Sequence, residues 1–310
     1  MAVVAMSILF CACDNKKTNK VINDGADTEM ADDDDDDIDD EGIKTVRVSN
    51  AHDFILALKS NTRIVVTKSY AINLTDELNN MIDDGFVENY YIADNPRHDK
   101  GVFAASEHDG FMIVVQGLHN ITIESADDDE AHLQVSPRYA DVLRFVDCRN
   151  ITVKDIMLGH TDTGDCVGDV LGFYSCKNIN VDGCQLYGCG VHGIQADQCS
   201  NLTVEDTYIY DCDQAAVVLN HVDNVKFDCC SIYNNGGGLC VYDDCTNVEV
   251  KNSHLSGNTG QLFICYSPVK LRKCTVEHHY DDNLDNVNTI DCDITMDYAA
   301  AETLPDIEEQ

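Results

Sequence analysis

The sequence predicts an all-β chain wound as a parallel β-helix, and three observations predict it. First, a short phrase recurs: Asn120-Ile-Thr-Ile, Asn150-Ile-Thr-Val, Asn178-Ile-Asn-Val, Asn201-Leu-Thr-Val, Asn224-Val-Lys-Phe and Asn247-Val-Glu-Val, with a degenerate copy at Pro268-Val-Lys-Leu. The Asn positions advance by 30, 28, 23, 23 and 23 residues, a period that belongs to stacked coils. Second, the first and third residues after each Asn are apolar and the one between is usually polar, the alternation of a strand with one buried face. Third, each phrase is flanked by two further strand patterns. Examples before it are Val142-Leu-Arg-Phe, Val170-Leu-Gly-Phe, Gly193-Ile-Gln-Ala and Ala216-Val-Val-Leu; examples after it are Cys184-Gln-Leu-Tyr, Thr207-Tyr-Ile-Tyr and Cys230-Ser-Ile-Tyr. Three short strands per turn, with Gly, Asn and Asp at the corners, close a coil, and successive coils lie about 4.8 Å apart.

In chain order, residues 1–13 read as a signal segment: the apolar run MAVVAMSILFCA is too short to span a bilayer comfortably. Residues 14–42 hold 13 acidic and 3 basic residues, including Asp32 to Asp37, and read as a disordered, self-repelling tether. Residues 43–295 form the β-helix. Its front end, Asn50-Ala-His-Asp-Phe-Ile-Leu-Ala-Leu-Lys, reads as a short amphipathic helix followed by the strand Thr62-Arg-Ile-Val-Val-Thr-Lys, a cap over an end that would otherwise expose core and unpaired strand. The acidic segment from Asp281 closes the last coil, and residues 296–310 are an acidic tail. No apolar stretch after the N-terminus is long enough for a transmembrane helix.

Two columns follow from the register. An Asn amide both donates and accepts, so Asn in one coil can bond Asn in the next. Cysteine supplies the other: Cys148, Cys176, Cys199 and Cys245 lie two residues before Asn, interrupted by Val222, while Cys184, Cys230 and Cys274 lie six after it, interrupted by Thr207 and Ser253. Stacked interior thiols explain spacings that follow the repeat and contain no C-x-x-C zinc pair, although an exported location would also permit disulfides.

With 20 Lys plus Arg against 56 Asp plus Glu, the formal charge of −36 excludes a nucleic-acid partner held by a basic surface. The chain is expected to be a monomer.

The repeating phrase with its Cys and Gly corners resembles the right-handed parallel β-helix proteins of the pectin-lyase-like superfamily, over residues 43–295. The resemblance implies polysaccharide as substrate or ligand, through a lyase or a hydrolase, or through a non-catalytic glycan-binding or structural surface module. The paired Asp, Gly-His-Gly and Arg-x-Lys motifs of the hydrolase class are not matched: only Val191-His192-Gly193 and Lys270-Leu-Arg272 approach them. The run Leu9-Phe-Cys-Ala-Cys13 resembles a bacterial lipobox with Cys13 as lipid anchor, which implies an exported lipoprotein at the periplasm or cell surface, with membrane contact through the anchor alone. A plain secretory signal and a cytosolic apolar N-terminus are the alternatives.

Counting back nine residues from Asn gives Asp141, Asp169 and His192, which would stack at the entrance of one strand in adjacent coils. Close carboxylates split their pKa values and can work as an acid and a base. With Arg144, and with His160 on a loop longer than the repeat, they are the candidate catalytic residues. Outward Tyr174, Gln195, Asp197 and Asn220 are the candidate substrate contacts. Asp162 and Asp165, in the same loop, are candidate ligands for a calcium ion. Asp at turns commonly bonds its own backbone, and His beside Gly is commonly a turn residue, so each assignment has a purely structural counterpart. Tyr187, Tyr210 and Tyr233 form an outward row that could stack against sugar rings, and Glu205, Lys226 and Glu249 a surface charge ladder.

Overall fold

The computed structural model describes residues 39, 42–67, 70–91, 100–126, 131–161, 167–188, 190–279 and 281–297. Cys13, Asp162, Asp165 and nearly all of the segments 14–42 and 296–310 lie outside them. Three strands per coil stack into three long sheets. Among the described residues one sheet has ten strands and the other two have nine each. A representative coil runs from Leu171–Tyr174 on one sheet to Lys177–Asp182 on the next and Gln185–Tyr187 on the third, then crosses to Ile194–Asp197 to begin the next turn. Pairing between coils is parallel and keeps the repeat in register, Ile151 on Ile179 on Leu202 on Val225. The predicted parallel β-helix is the observed fold.

The inward residues build one continuous core. Ile151, Val153, Ile179, Val181, Leu202, Val204 and Phe227 are fully enclosed, and Phe145 stacks on Phe173 with ring centroids 5.5 Å apart. Each such side chain contributes about 1.5–3 kcal/mol through burial, and every coil adds several. At the front end the helix Ala51–Ala57 is capped by Asn50, whose side chain accepts from the Asp53 amide, and it buries Phe54 and Ile55. A second helix, Thr75–Asp83, buries Leu78 and Met81 beside it and was not read from the sequence.

The Asn column has two causes. Asn120, Asn150, Asn178, Asn201, Asn224 and Asn247 all have positive φ, between 53° and 60°, where Asn is the best tolerated residue after Gly. Their amides also bond coil to coil, each Nδ2 donating to the Oδ1 before it at 2.7–2.9 Å from Asn120 to Asn224, and Asn61 starts the ladder one coil earlier. The column is largely exposed, so it organises a corner of the coil at the surface.

The cysteine column is a hydrogen-bond ladder of free thiols. All twelve described cysteines are free. The sulfurs of Cys148, Cys176, Cys184, Cys199, Cys230 and Cys274 donate to a carbonyl of the preceding coil, as Cys184 Sγ does to Val153, and corner amides donate to the side chain one coil on. That acceptor is Cys199 for Cys176, Thr207 for Cys184, Ser253 for Cys230 and Ser267 for Cys245. Thr207 and Ser253 therefore continue the column that they interrupt in the sequence, because a hydroxyl can replace a thiol as acceptor. The charge ladder is present too, Lys226 pairing with Glu205 and Lys270 with Glu249.

One element departs from the winding. Gly101–Glu107 and Gly110–Gln116 form an antiparallel hairpin that adds to the sheet carrying Leu143–Val146 and Leu171–Tyr174. Its tip comes to rest beside the connection leading to Asp141. The Asp109 carboxylate accepts the amides of Arg138 and Tyr139, at 2.6 and 3.2 Å, and a Cβ on Gly110 would lie 2.6 Å from Pro137.

Candidate active site

Asp141, Asp169 and His192 each occupy the end of a connection that enters the hairpin-bearing sheet, one coil above another. The connections are themselves laddered, Val142 N donating to the Asp169 carbonyl and Val170 N to that of His192. The side chains are consequently brought into contact, as the register predicted. Asp141 Oδ1 accepts the Asp169 amide at 3.0 Å, and Asp169 Oδ1 lies 2.9 Å from His192 Nδ1.

Arg144, on the first outward position after Asp141, closes the row with a two-pronged contact. Its Nε and Nη2 donate to the two oxygens of Asp141 at 2.6 and 3.0 Å. Gly172 makes this possible: a Cβ there would lie 2.4 Å from Asp141 Oδ2, so the carboxylate rests where any other residue would stand. The guanidinium also lies over the Tyr174 ring, 5.0 Å from its centre. Burial alone would weaken the Arg144 charge, but Asp141 outweighs it and holds the group firmly protonated.

Asp169 has a different electrostatic setting. Burial raises its pKa to about 6, the His192 hydrogen bond opposes that rise, and the charge of Asp141 adds to it. Asp169 therefore holds or releases a proton near neutrality. His192 is the member of the row that reaches solvent, its side chain 16% exposed against 4% for Asp169. With Nδ1 directed to the carboxylate, the neutral ring presents Nε2 as its basic nitrogen. The arrangement is a buried carboxylate orienting a solvent-facing imidazole beside a fixed ion pair, a combination capable of acid–base chemistry.

His160 lies beneath this row. It is buried, its Nε2 is 2.8 Å from the Ala140 carbonyl, and its Nδ1 has no partner among the described residues. Burial lowers its pKa, so the ring is neutral; a carbonyl only accepts, so Nε2 carries the proton and Nδ1 is an acceptor. Gln195 sits in the outward row of Arg144 and Gly172, while Tyr174, Asp197 and Asn220 form the next row, with Asn220 Nδ2 bonded to Asp197 Oδ1 at 3.1 Å.

Sequence reasoning missed the hairpin. Glu107 is half-buried at its tip; burial raises its pKa and Arg144 opposes the rise, with Asp141 and Asp109 adding to it. The Asp109-Gly110 pair between the apolar runs 102–105 and 111–115 is a hairpin signal that could have located it. The expected tyrosine platform takes another form. Tyr187, Tyr210 and Tyr233 stack face to face on one another, centroids 5.7 and 5.2 Å apart, so their faces are spent within the row and not presented to a sugar.

Among the described residues, no three His, Cys, Asp or Glu side chains converge to hold a metal ion. Arg144 engages both oxygens of Asp141, so this row does not fit calcium; Asp162 and Asp165, the expected ligands, lie outside the described residues. A groove of about 680 Å³ runs along another face, beside Asn120, Asn150 and Asn178 and lined by Thr122, Thr152 and Thr203. The charged side chains among its lining residues are Asp39 and Arg63, and Arg63 is engaged by Glu124, so the acid–base chemistry points to the Asp141 row.

A family model for the right-handed β-helix region matches residues 138–255, the span that holds Asp141, Arg144, His160, Asp169 and His192. A pectate lyase from Paenibacillus sp. 0602 superposes with a TM-score of 0.50 at 10% identity, covering 82% of this chain and 78% of that one. A surface adhesin of Streptococcus pneumoniae is similar at 9% identity with a TM-score of 0.35, covering 79% of this chain and 80% of that one. At 10% identity the likeness to the pectate lyase is one of fold alone, and the chain is a right-handed parallel β-helix. No protein of curated function matches it.

Proposed function

We propose that the protein acts on polysaccharide at the Asp141–Asp169–His192 row, with the glycan lying along the coil axis over the outward rows of Gln195 and Asp197. The observation that carries the reading is the Asp169–His192 pair: a buried carboxylate with a raised pKa bonded at 2.9 Å to an imidazole that reaches solvent. In this reading His192 moves the proton at the reacting centre, Asp169 fixes its tautomer, and Arg144 with Asp141 forms the rigid floor. The protein works as an exported monomer, held by a lipid on Cys13.

The test is incubation of the purified chain with uronate-containing, neutral and amino-sugar polysaccharides, with calcium or with chelator. New reducing ends report hydrolysis; absorbance of an unsaturated product reports elimination. Activity should fall by about 10²-fold or more in His192→Ala. Activity retained in both His192→Ala and Asp169→Asn would remove the site. A second reading, a non-catalytic glycan-binding module, is favoured by the full engagement of Asp141, whose oxygens are taken by Arg144 and the Asp169 amide. Glycan binding without turnover would select it.

A further inference from the structure

The groove beside the asparagine column lies on a different sheet from the Asp141 row, and its lining is chemically distinct. Its floor is one outward row, Thr122, Thr152, Asn180 and Thr203, paired coil on coil and half-buried. None of these four side chains has a hydrogen-bond partner among the described residues. The row carries no charge over these coils, although it continues as Lys226, Glu249 and Lys270, and the outward row alongside holds Lys154, Asp182 and Glu205. Arg63, which precedes Thr122 in the row, is paired with Glu124. In a chain of net charge −36, the uncharged stretch of the row coincides with the groove.

The asparagine column supplies the second side. Each amide from Asn120 to Asn201 gives one N–H and one oxygen lone pair to the ladder, and because an amide has two of each, one donor and one acceptor remain on every coil. Together the two rows make a neutral track of donors and acceptors that repeats about every 4.8 Å along the axis. A peptide strand is out of step with it, since its same-side groups recur at about 6.6 Å. An anionic polymer finds no free cation among the lining side chains. An extended 1,4-linked sugar chain advances by roughly one coil height per ring and carries on every ring hydroxyls that both donate and accept. The groove's volume of about 680 Å³ is of the size that ligand sites take.

We infer that this groove is a second glycan site, separate from the Asp141 row, and that it holds a neutral, extended 1,4-linked polysaccharide along the coil axis, one ring per coil. The inference goes beyond the proposed reaction and does not depend on it. The site anchors a polymer and does not cleave it. Each sugar hydroxyl exchanges a bond to water for a bond to Thr or Asn, so each contact contributes little and affinity has to accumulate ring by ring.

The test is equilibrium binding of the full chain to β-1,4-linked glucose and mannose oligosaccharides of increasing length and to a galacturonate hexamer, in the presence of chelator. Affinity for at least one neutral series should rise with each ring up to about four, the number of coils that Thr122 to Thr203 span, then level off, and should change little with salt. Thr152→Val with Thr203→Val keeps shape and strand preference, so the coils still form, and should weaken hexamer binding by roughly three- to thirtyfold. Ser231→Ala with Thr275→Val, on the third sheet, should leave it unchanged, as should His192→Ala. Several results would overturn the inference: no binding of either neutral series, affinity independent of length, equal loss in both variant pairs, no loss in the threonine pair, loss in His192→Ala, or tighter binding of galacturonate. Turnover of a glycan without neutral-glycan binding in the groove overturns this inference while keeping the proposed reaction; groove binding without any turnover does the reverse.

Discussion

Arg144 is a cation held by the residue beside which it is built, and the arrangement has a measurable cost if broken. Asp141 is 1% exposed and Arg144 19%, so removing the carboxylate leaves a largely buried guanidinium without its counter-charge. Asp141→Asn should therefore cost about 3 kcal/mol, and Arg144→Met in the same chain should recover most of that loss, because it removes the buried charge left uncompensated while an amide oxygen at position 141 can still accept from the Asp169 N–H. Urea midpoints with unchanged slope would show it, and a single-variant cost below about 0.5 kcal/mol would contradict it. Asp169 offers a pH-resolved companion. Its folded pKa is raised to about 6 from 3.8, so the folded state binds a proton more tightly than the unfolded chain. Stability then falls as pH rises between about 4 and 6 and levels off above that window. Asp169→Asn cannot titrate, so its stability relative to the parent should rise across the same window. Urea melts from pH 4 to pH 8 that run parallel for the two chains would refute the assignment.

Each corner of a coil is held by a bond from an amide to a side chain one coil on, so the identity of the corner residue matters less than its ability to accept. Thr207 is fully buried and accepts the Cys184 amide at 3.3 Å. Thr207→Val keeps shape and leaves that amide unpaired, which should cost about 1–3 kcal/mol, while Thr207→Cys or Thr207→Ser should cost less than about 1. Equal costs for the valine and serine variants would show that packing governs the corner. This rule explains how much the sequence could reveal. The coil was legible because every turn solves the same problem with the same residues, and Asp141, Asp169 and His192 could be brought together because they share an offset from Asn. Arg144 and Gln195 were legible as outward strand positions for the same reason. The hairpin was not, since 101–116 pairs antiparallel and has no offset to count from, and with it Glu107 and Asp109 stayed hidden. Gly172 read as a strand residue, yet its missing side chain is what admits the Asp141 carboxylate. The tyrosine row was seen in its right place and given the wrong task, because alternation tells which way a ring leaves the sheet and not which neighbour takes its face.

At the scale of the whole molecule, a solenoid this acidic folds against its own charge. The described carboxyls that depart upward from their ordinary range, Asp169, Glu107, Asp182, Asp206 and Asp282, all do so first through burial. Acids whose pKa is raised on folding favour the folded state as pH falls, so these groups make the protein more stable in mild acid than in base. Asp228 works in the opposite sense: Lys251, Asn252 and Lys226 lower its pKa against the effect of burial, so its contribution disappears only below the ordinary Asp range. The sum is a stability that should rise as pH is lowered from about 6 to about 4 and then decline in stronger acid as Asp228 is protonated. Salt separates the sources. Repulsion among exposed carboxylates is screened over a length of about 8–10 Å at physiological ionic strength, so added NaCl should raise the melting temperature at pH 8 and narrow the gap to pH 5. The part of the gap that comes from Asp169 is a desolvation cost in a buried site and should survive the salt, disappearing only in Asp169→Asn. A melting temperature that fell with salt, or that was highest at pH 8, would mean that pairs such as Lys226 with Glu205 outweigh the excess of negative charge in holding the coils together.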